Sequence, residues 1–300
     1  MSAPNRNTLW GRVLVEELLA AGLDGLSLAP GSRSTPLAVA AADADGPTFS
    51  HLDERCAGFF ALGRGRRTGR PTAVVCTSGT AAAEFHPAVV EADRGRVPLV
   101  VLTADRPPEL QDSGANQTVD QTKLYGDAVR WYRQLPEPEP DPRKLRALRT
   151  TAARAVAAAT GADPGPVHLN VPFRKPLEPT PVEGDVPDDL AETAPLAATG
   201  REGAYVSVSR GHPEPDPETM DALAATVDGA DAGLIVCGPA DPPLSADATD
   251  GETAPVATPS RGALAALADA TGFPVLADPL SGVRFGPHVA DRAVLGGYDG

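Results

Sequence analysis

The chain has little of what most directly advertises a chemistry. Among its 26 basic residues only Lys123, Lys144 and Lys175 are lysines. The three cysteines, Cys56, Cys76 and Cys237, are widely spaced and form no C-x-x-C pair. Neither a disulfide framework nor a zinc knuckle is therefore indicated, and a reducing compartment is expected. No two histidines have metal-ligand spacing, and His51, His86 and His168 sit in apolar surroundings that suggest core positions. G-x-S-x-G, G-x-x-x-x-G-K-[ST] and a G-x-G-x-x-G after the first strand are all missing, which removes the strongest signals for common hydrolase and nucleotide chemistry. No run approaches the roughly 18 apolar residues that span a bilayer, and MSAPNRNTLW has no basic segment leading into an apolar one. A soluble, cytoplasmic protein is expected, with no membrane partner.

Acid is abundant: 40 Asp and Glu give a formal charge of −14 over 300 residues. A chain this acidic should repel phosphate backbones, so nucleic acid is not expected as a partner. The acidic, arginine-over-lysine, alanine-rich composition suggests a halophilic setting in which carboxylates keep the surface hydrated. The charge is not evenly spread. Residues 176 to 260 hold 17 acids against Arg201 and Arg210, whereas residues 1 to 175 are near neutral at +2. The stretch PLEPTPVEGDVPDDLAETAPLAATG reads as an extended linker, because proline and like charges resist collapse. The segment 239–260 reads as a mobile surface loop.

Apolar periodicity organises the rest. Thr8 to Ala21 has helical spacing and stops before Gly22. Short β-rich runs at Leu26–Ala29, TFSHL, TAVVCT and PLVVLTA then alternate with helix-like PLAVAAADA, ERCAGFFALGRG and GTAAAEFHPAVVEAD. A helix from Arg143 to Ala159 precedes the run PVHLNVP. This alternation predicts an α/β fold with a doubly wound parallel sheet. A looser repetition follows, with a helix around Pro217–Val227, the run GLIVCG, the helix RGALAALADAT and the run FPVLAD, predicting a second, smaller α/β unit.

Ligands of open parallel sheets bind outside the carboxyl ends of the strands, and in this sequence those ends are polar. Gly31, Ser32, Arg33, Ser34 and Thr35 follow the first run; Asp53, Glu54 and Arg55 the second; Thr77, Ser78, Gly79 and Thr80 the third; Thr103, Asp105 and Arg106 the fourth. Each has an ordinary structural reading. Ser34 or Thr35 before Pro36 is a helix start, TSGT can be a cap and turn, and Asp53 and Glu54 suit a helix dipole. Arg33 and Arg106 can be surface charges, but an arginine fork on a loop facing a cleft suits carboxylates. GSRST could also cradle a phosphate at a helix N-terminus.

Taken in order, APGSRSTPLAVAAA, HLDERCAGFFALG, TSGTAAAEFHPAVVEA and PLVVLTADRPPELQDSGANQT resemble the 2-succinyl-5-enolpyruvyl-6-hydroxy-3-cyclohexene-1-carboxylate (SEPHCHC) synthase family. These are thiamine-diphosphate enzymes of menaquinone biosynthesis. The resemblance is strong over about residues 8 to 175 and weaker beyond, where FPVLADPLSG looks like the family's central domain. It implies a pyrimidine-binding domain over 1–180, an acidic proline-rich linker over 181–215, and an incomplete Rossmann-like central α/β domain over 216–300. The family's diphosphate-binding domain, with its G-D-G motif, has no counterpart in this sequence. The expectation is therefore the N-terminal part of a longer enzyme, or one chain of a split enzyme with a separate C-terminal subunit.

The resemblance implies a transferase that decarboxylates 2-oxoglutarate and adds the succinyl carbanion to isochorismate. Glu54 would hydrogen-bond the cofactor's pyrimidine ring and promote its activation, with Thr77, Ser78 and Gly79 nearby. Ser32, Arg33, Arg106 and Gln117, with Asn116 as a neighbour, would bind substrate. Mg²⁺ would be held mainly by the diphosphate domain, and a homodimer or homotetramer is implied. Two other readings stay open: a different thiamine-diphosphate enzyme such as an acetolactate-synthase relative, against which the arginine-bearing loops argue, and a non-catalytic regulatory fragment.

Overall fold

The computed structural model describes residues 3–207, 214–240, 261–289 and 293–295, which divide into two compact units meeting in sequence near residue 210. The segment expected as a mobile loop lies almost wholly outside the described residues.

In the first unit the chain runs α1 (Arg6–Ala20), β1 (Gly25–Ala29), α2 (Thr35–Asp43), β2 (Thr48–Ser50), α3 (Glu54–Thr68), β3 (Thr72–Cys76), α4 (Thr80–Ala83), α5 (His86–Arg94) and β4 (Leu99–Asp105). It continues with β5 (Trp131–Gln134), α6 (Pro142–Ala159), β6 (Pro166–Pro172), α7 (Leu190–Thr193) and α8 (Pro195–Ala198). The six strands form one sheet in the order β2-β1-β3-β4-β6-β5, every pairing parallel. The doubly wound α/β sheet expected from the sequence is thus present. Strands β1, β3, β4 and β6 are buried along their whole length, as near-continuous Val, Leu and Ala runs require when helices cover both faces. Alternate residues feed two cores. Leu26, Leu28, Val75, Val100, Leu102, Val167 and Leu169 face the side of α1, α2 and α6. Val74, Cys76, Leu99 and Val101 face the side of Ala57, Phe85 and Val89.

Local chemistry sets the helix ends. Asn5 caps α1 by accepting from Thr8 N–H, Asp53 caps α3 and Asp141 caps α6 ahead of Pro142, each supplying an oxygen to an otherwise unpaired amide. The stretch GTAAAEFHPAVVEAD, expected as one helix, breaks into α4 and α5 at Glu84 and Phe85, just before Pro87, which has no N–H to donate. His86 opens α5 and is exposed, which corrects its expected core position.

The acidic, proline-rich stretch after Pro176 does not run free through solvent. Asn5 and Asn7 donate to the carbonyls of Arg174, Pro176, Glu178 and Thr180, Val182 N–H donates to Pro4, and Leu177, Val186, Leu190, Ala197 and Ala198 join the core. Arg149, 2% exposed, secures the far end by donating to the carbonyls of Ala197 and Ala198 and pairing with Glu17 at 3.1 Å. The prolines and acids occupy the outer side while a sparse set of apolar residues packs inward.

The second unit comprises α9 (Pro217–Asp228), β7 (Ile235–Cys237), α10 (Arg261–Thr271), β8 (Val275–Ala277) and β9 (Val294–Leu295). Its strands form a parallel sheet in the order β7-β8-β9, and Leu264, Ala268, Val275, Ala277 and Val283 make its core. This is the smaller α/β unit expected from the sequence.

Candidate functional site

From β1 the chain crosses to β2 on one side and then to β3 on the other, so the sheet reverses winding between β1 and β3. Open α/β sheets bind ligands in the crevice at such a switch point. Two loops meet there. Gly31, after β1, lies so close to Thr77, after β3, that a Cβ on residue 31 would come within 2.6 Å of Thr77 Cβ. Arg33 N–H donates to Thr77 Oγ1 at 3.2 Å.

Ser32, Arg33, Arg106, Asn116 and Gln117, to which the family resemblance gives a substrate-binding role, all line one cleft of about 390 Å³, together with Leu110, Ala115, Lys175 and Leu177. Among the described residues, three cations and no carboxylate line it. Arg33 is not the surface charge it could have been: it is 5% exposed. Its Nη1 donates to the Phe173 carbonyl at 2.6 Å, while its buried Nε has no hydrogen-bond partner among the described residues. Burial and, after it, the positive charge of Arg106 hold the Arg33 guanidinium below its ordinary pKa, opposed by Asp105. Arg106 is steered by the Asn116 carbonyl, to which Nη2 and Nε donate at 2.7 and 3.2 Å. Two guanidinium groups close enough to repel, one with a buried N–H left over, form a place where an anion gains both charge and hydrogen bonds.

Glu54 and the 77–79 turn do not line this cleft. Glu54 is half-buried in the first turn of α3. The Cys76 thiol is pushed well up by burial and then by the Glu54 charge, so this carboxylate lies beside the end of β3. The two adjacent acids divide their work. Asp53 accepts from Arg55 N–H and pairs with its guanidinium, which holds its carboxyl low, at about 2, whereas Glu54 has no hydrogen bond or ion pair among the described residues. Thr77 and Ser78 are buried and used internally, Thr77 accepting from Arg33 and Ser78 Oγ donating to the Gln117 carbonyl at 3.1 Å. Gly79 has φ 91° and ψ −144°, a conformation essentially reserved for glycine.

Beneath the cleft lies a buried polar network that the sequence did not announce. Asn170 of β6 accepts from Thr103 Oγ1 and Gln121 Nε2 at 2.6 and 2.8 Å and donates to Asp105 Oδ2 and Gln134 Oε1 at 2.7 and 2.8 Å. Gln121 Oε1 in turn accepts from Gly79 N–H at 2.9 Å. Burial raises the Asp105 carboxyl above its ordinary range. Thr103 spends its one proton on Asn170, so His168 Nε2, 2.7 Å away, carries the hydrogen that Thr103 accepts. The His168 ring is fully buried, and desolvation lowers its pKa to about 3. Lys175, also not anticipated, was signalled only by its place after the PVHLNVP run and by the scarcity of lysine.

Residues 10–124 match the thiamine pyrophosphate enzyme N-terminal TPP binding domain. This match lies within the first unit, whose parallel α/β sheet is thus that of an N-terminal TPP binding domain. The whole chain is 61% identical to the 2-succinyl-5-enolpyruvyl-6-hydroxy-3-cyclohexene-1-carboxylate synthase of Halorubrum lacusprofundi, covering 46% of that protein. It is likewise 61% identical to that of Haloarcula marismortui, covering 49% of it. Across 99% of the chain it is 50% identical to the synthase so named from Roseiflexus castenholzii, covering 48% of it. The chain is similar along its whole length to synthases of this name and spans about half the length of the curated relatives it matches.

Proposed function

We propose that the chain forms part of a thiamine-diphosphate-dependent transferase that decarboxylates 2-oxoglutarate and joins the remaining four-carbon unit to isochorismate, giving SEPHCHC for menaquinone biosynthesis. The observation that carries this reading is the cleft with Arg33, Arg106 and Lys175 and no carboxylate. Both substrates are dicarboxylates, and a cation-rich, acid-free cleft suits them better than it suits pyruvate. The name shared by the relatives supports the same product.

The residues present fit the cofactor. Glu54 is a carboxylate without a hydrogen-bond or ion-pair partner among the described residues, in the first turn of α3 after β2, as suits a group that serves a ligand's ring nitrogen. When bound, thiamine diphosphate supplies the carbon nucleophile of 2-oxoacid chemistry. Glu54 holds and returns a proton at the pyrimidine nitrogen, a task for a carboxylate and not for an amide. Thr77, Ser78 and Gly79 form the wall beside it. Arg33 and Arg106 receive substrate carboxylates, Ser32, Asn116 and Gln117 complete the hydrogen bonding, and the apolar Leu110 and Leu177 exclude water from the cleft. Mg²⁺ is assigned to the diphosphate side of an assembled homodimer or homotetramer, in which a further segment or subunit completes the site. The first unit is assigned as the pyrimidine-binding domain and the second as the central domain of a cytoplasmic enzyme.

The test is Glu54→Gln in the full-length protein. Exchange of the cofactor's C2 proton should slow by roughly 10²–10⁴-fold, the usual worth of a positioned acid or base, with the melting temperature unchanged. Exchange near the wild-type rate would remove Glu54 from this role.

A further inference from the structure

We propose that Gln121 and Asn170 are positioning residues that lock the loop carrying Arg106, Asn116 and Gln117 to the 77–79 turn, so that the anion cleft and the wall beside Glu54 hold one fixed register. The inference deepens the proposed function and rests on it for its catalytic consequence, but its structural content stands alone.

The loop from Arg106 to Leu124 has no strand or α-helix of its own to fix it, yet it carries much of the cleft. Glu109 pairs with Arg174 at the loop's outer end, and a specific set of hydrogen bonds ties it to the 77–79 turn. Ser78 Oγ donates to the Gln117 carbonyl, and Gly79 N–H donates to Gln121 Oε1. Gln121 then passes the connection inward through Nε2 to Asn170 Oδ1. Asn170 returns it outward through Nδ2 to Asp105, whose other oxygen accepts from Arg106 N–H at 2.7 Å. The circuit therefore begins at the turn and closes at the backbone of the cleft arginine. Both amides are 1% exposed, so each unmade bond would leave a polar atom without water. Asn170 uses every lone pair and proton that its side chain offers, on partners from β4, β5 and the loop. A network so fully satisfied specifies one arrangement. Gln117, with φ 55°, and Gly79, with φ 91°, are held in left-handed backbone where the two segments touch, conformations that need such support.

The decisive variant is Gln121→Met in the full-length protein, which keeps the length of the side chain and deletes its bonds with Gly79, Asn170 and Ala104. Amide hydrogen exchange should accelerate together in segments 77–81 and 105–121, by about tenfold or more for the loss of buried hydrogen bonds, while α1 is unaffected. The requirement for isochorismate and that for thiamine diphosphate should rise in parallel by a similar factor. Asn170→Asp should act alike by placing a carboxylate oxygen against Asp105 and the Gln134 oxygen, both of which now accept from Asn170 Nδ2. Acceleration in only one segment, or a lowered melting temperature with both requirements unchanged, would overturn the relay. Absence of product from the wild-type enzyme would instead sink the assigned reaction and leave the exchange result to judge the relay.

Discussion

Gly79→Ala offers a sharp test of how the switch point is built, because its cost can be worked from the structure. Residue 79 has φ 91° and ψ −144°, and occupying such a region with an L side chain costs about 1–3 kcal/mol. The new Cβ would also lie 3.0 Å from both Cγ and the carbonyl oxygen of Gln117. Relief by moving the turn would break the bond from Gly79 N–H to Gln121, worth roughly 1 kcal/mol. The total is about 2–4 kcal/mol. For a unit of this size each kcal/mol lowers the melting temperature by about 2–4 °C, so a fall of roughly 5–15 °C is expected. Calorimetry on the full-length protein would read it, with Gly63→Ala as the control. Gly63 is an exposed residue of α3 whose added Cβ would meet nothing within 4 Å, so that substitution should stabilise by about 1 kcal/mol through helix propensity. Equal melting temperatures for the two variants would refute the steric and conformational argument.

Two further outcomes follow from the same geometry. Arg106→Ala should raise the KM for isochorismate roughly 10- to 100-fold, the range for a hydrogen bond to a charged group, with little change in melting temperature; unchanged steady-state kinetics would leave Arg106 a purely structural residue. His168 should make the fold acid-labile. Its folded pKa of about 3 lies below the ordinary 6.5, so between these values the unfolded chain binds a proton that the folded chain refuses, and stability falls as pH falls. From pH 7 to pH 5 this one group should cost about 2 kcal/mol. Urea midpoints at the two pH values should differ less in His168→Gln, and an identical difference would exclude the buried ring as the cause.

Much of the site was legible because the polar residues fall immediately after apolar runs, and a parallel sheet brings all such positions to one edge. Arg33 and Arg106, 73 positions apart in number, thus reach one cleft without any local motif joining them. What escaped reading was carried by long-range contacts. Asn170 looked like one polar residue in an apolar run, and its partners Thr103, Asp105, Gln121 and Gln134 come from three other segments. Strand β5 was missed because Trp131–Gln134 is short and partly exposed at the sheet edge. The stretch after Pro176 was misread because its average composition is polar, while Val186, Leu190 and Ala197, spaced through it, supply enough burial to dock it.

The most direct measurement is product analysis. The full-length protein, supplied with thiamine diphosphate, Mg²⁺, 2-oxoglutarate and isochorismate, is expected to release carbon dioxide and form the carbon–carbon adduct SEPHCHC in equal amounts, and to do neither at an appreciable rate with Glu54→Gln. Free succinic semialdehyde without adduct, or a preference for pyruvate over 2-oxoglutarate, would contradict the account.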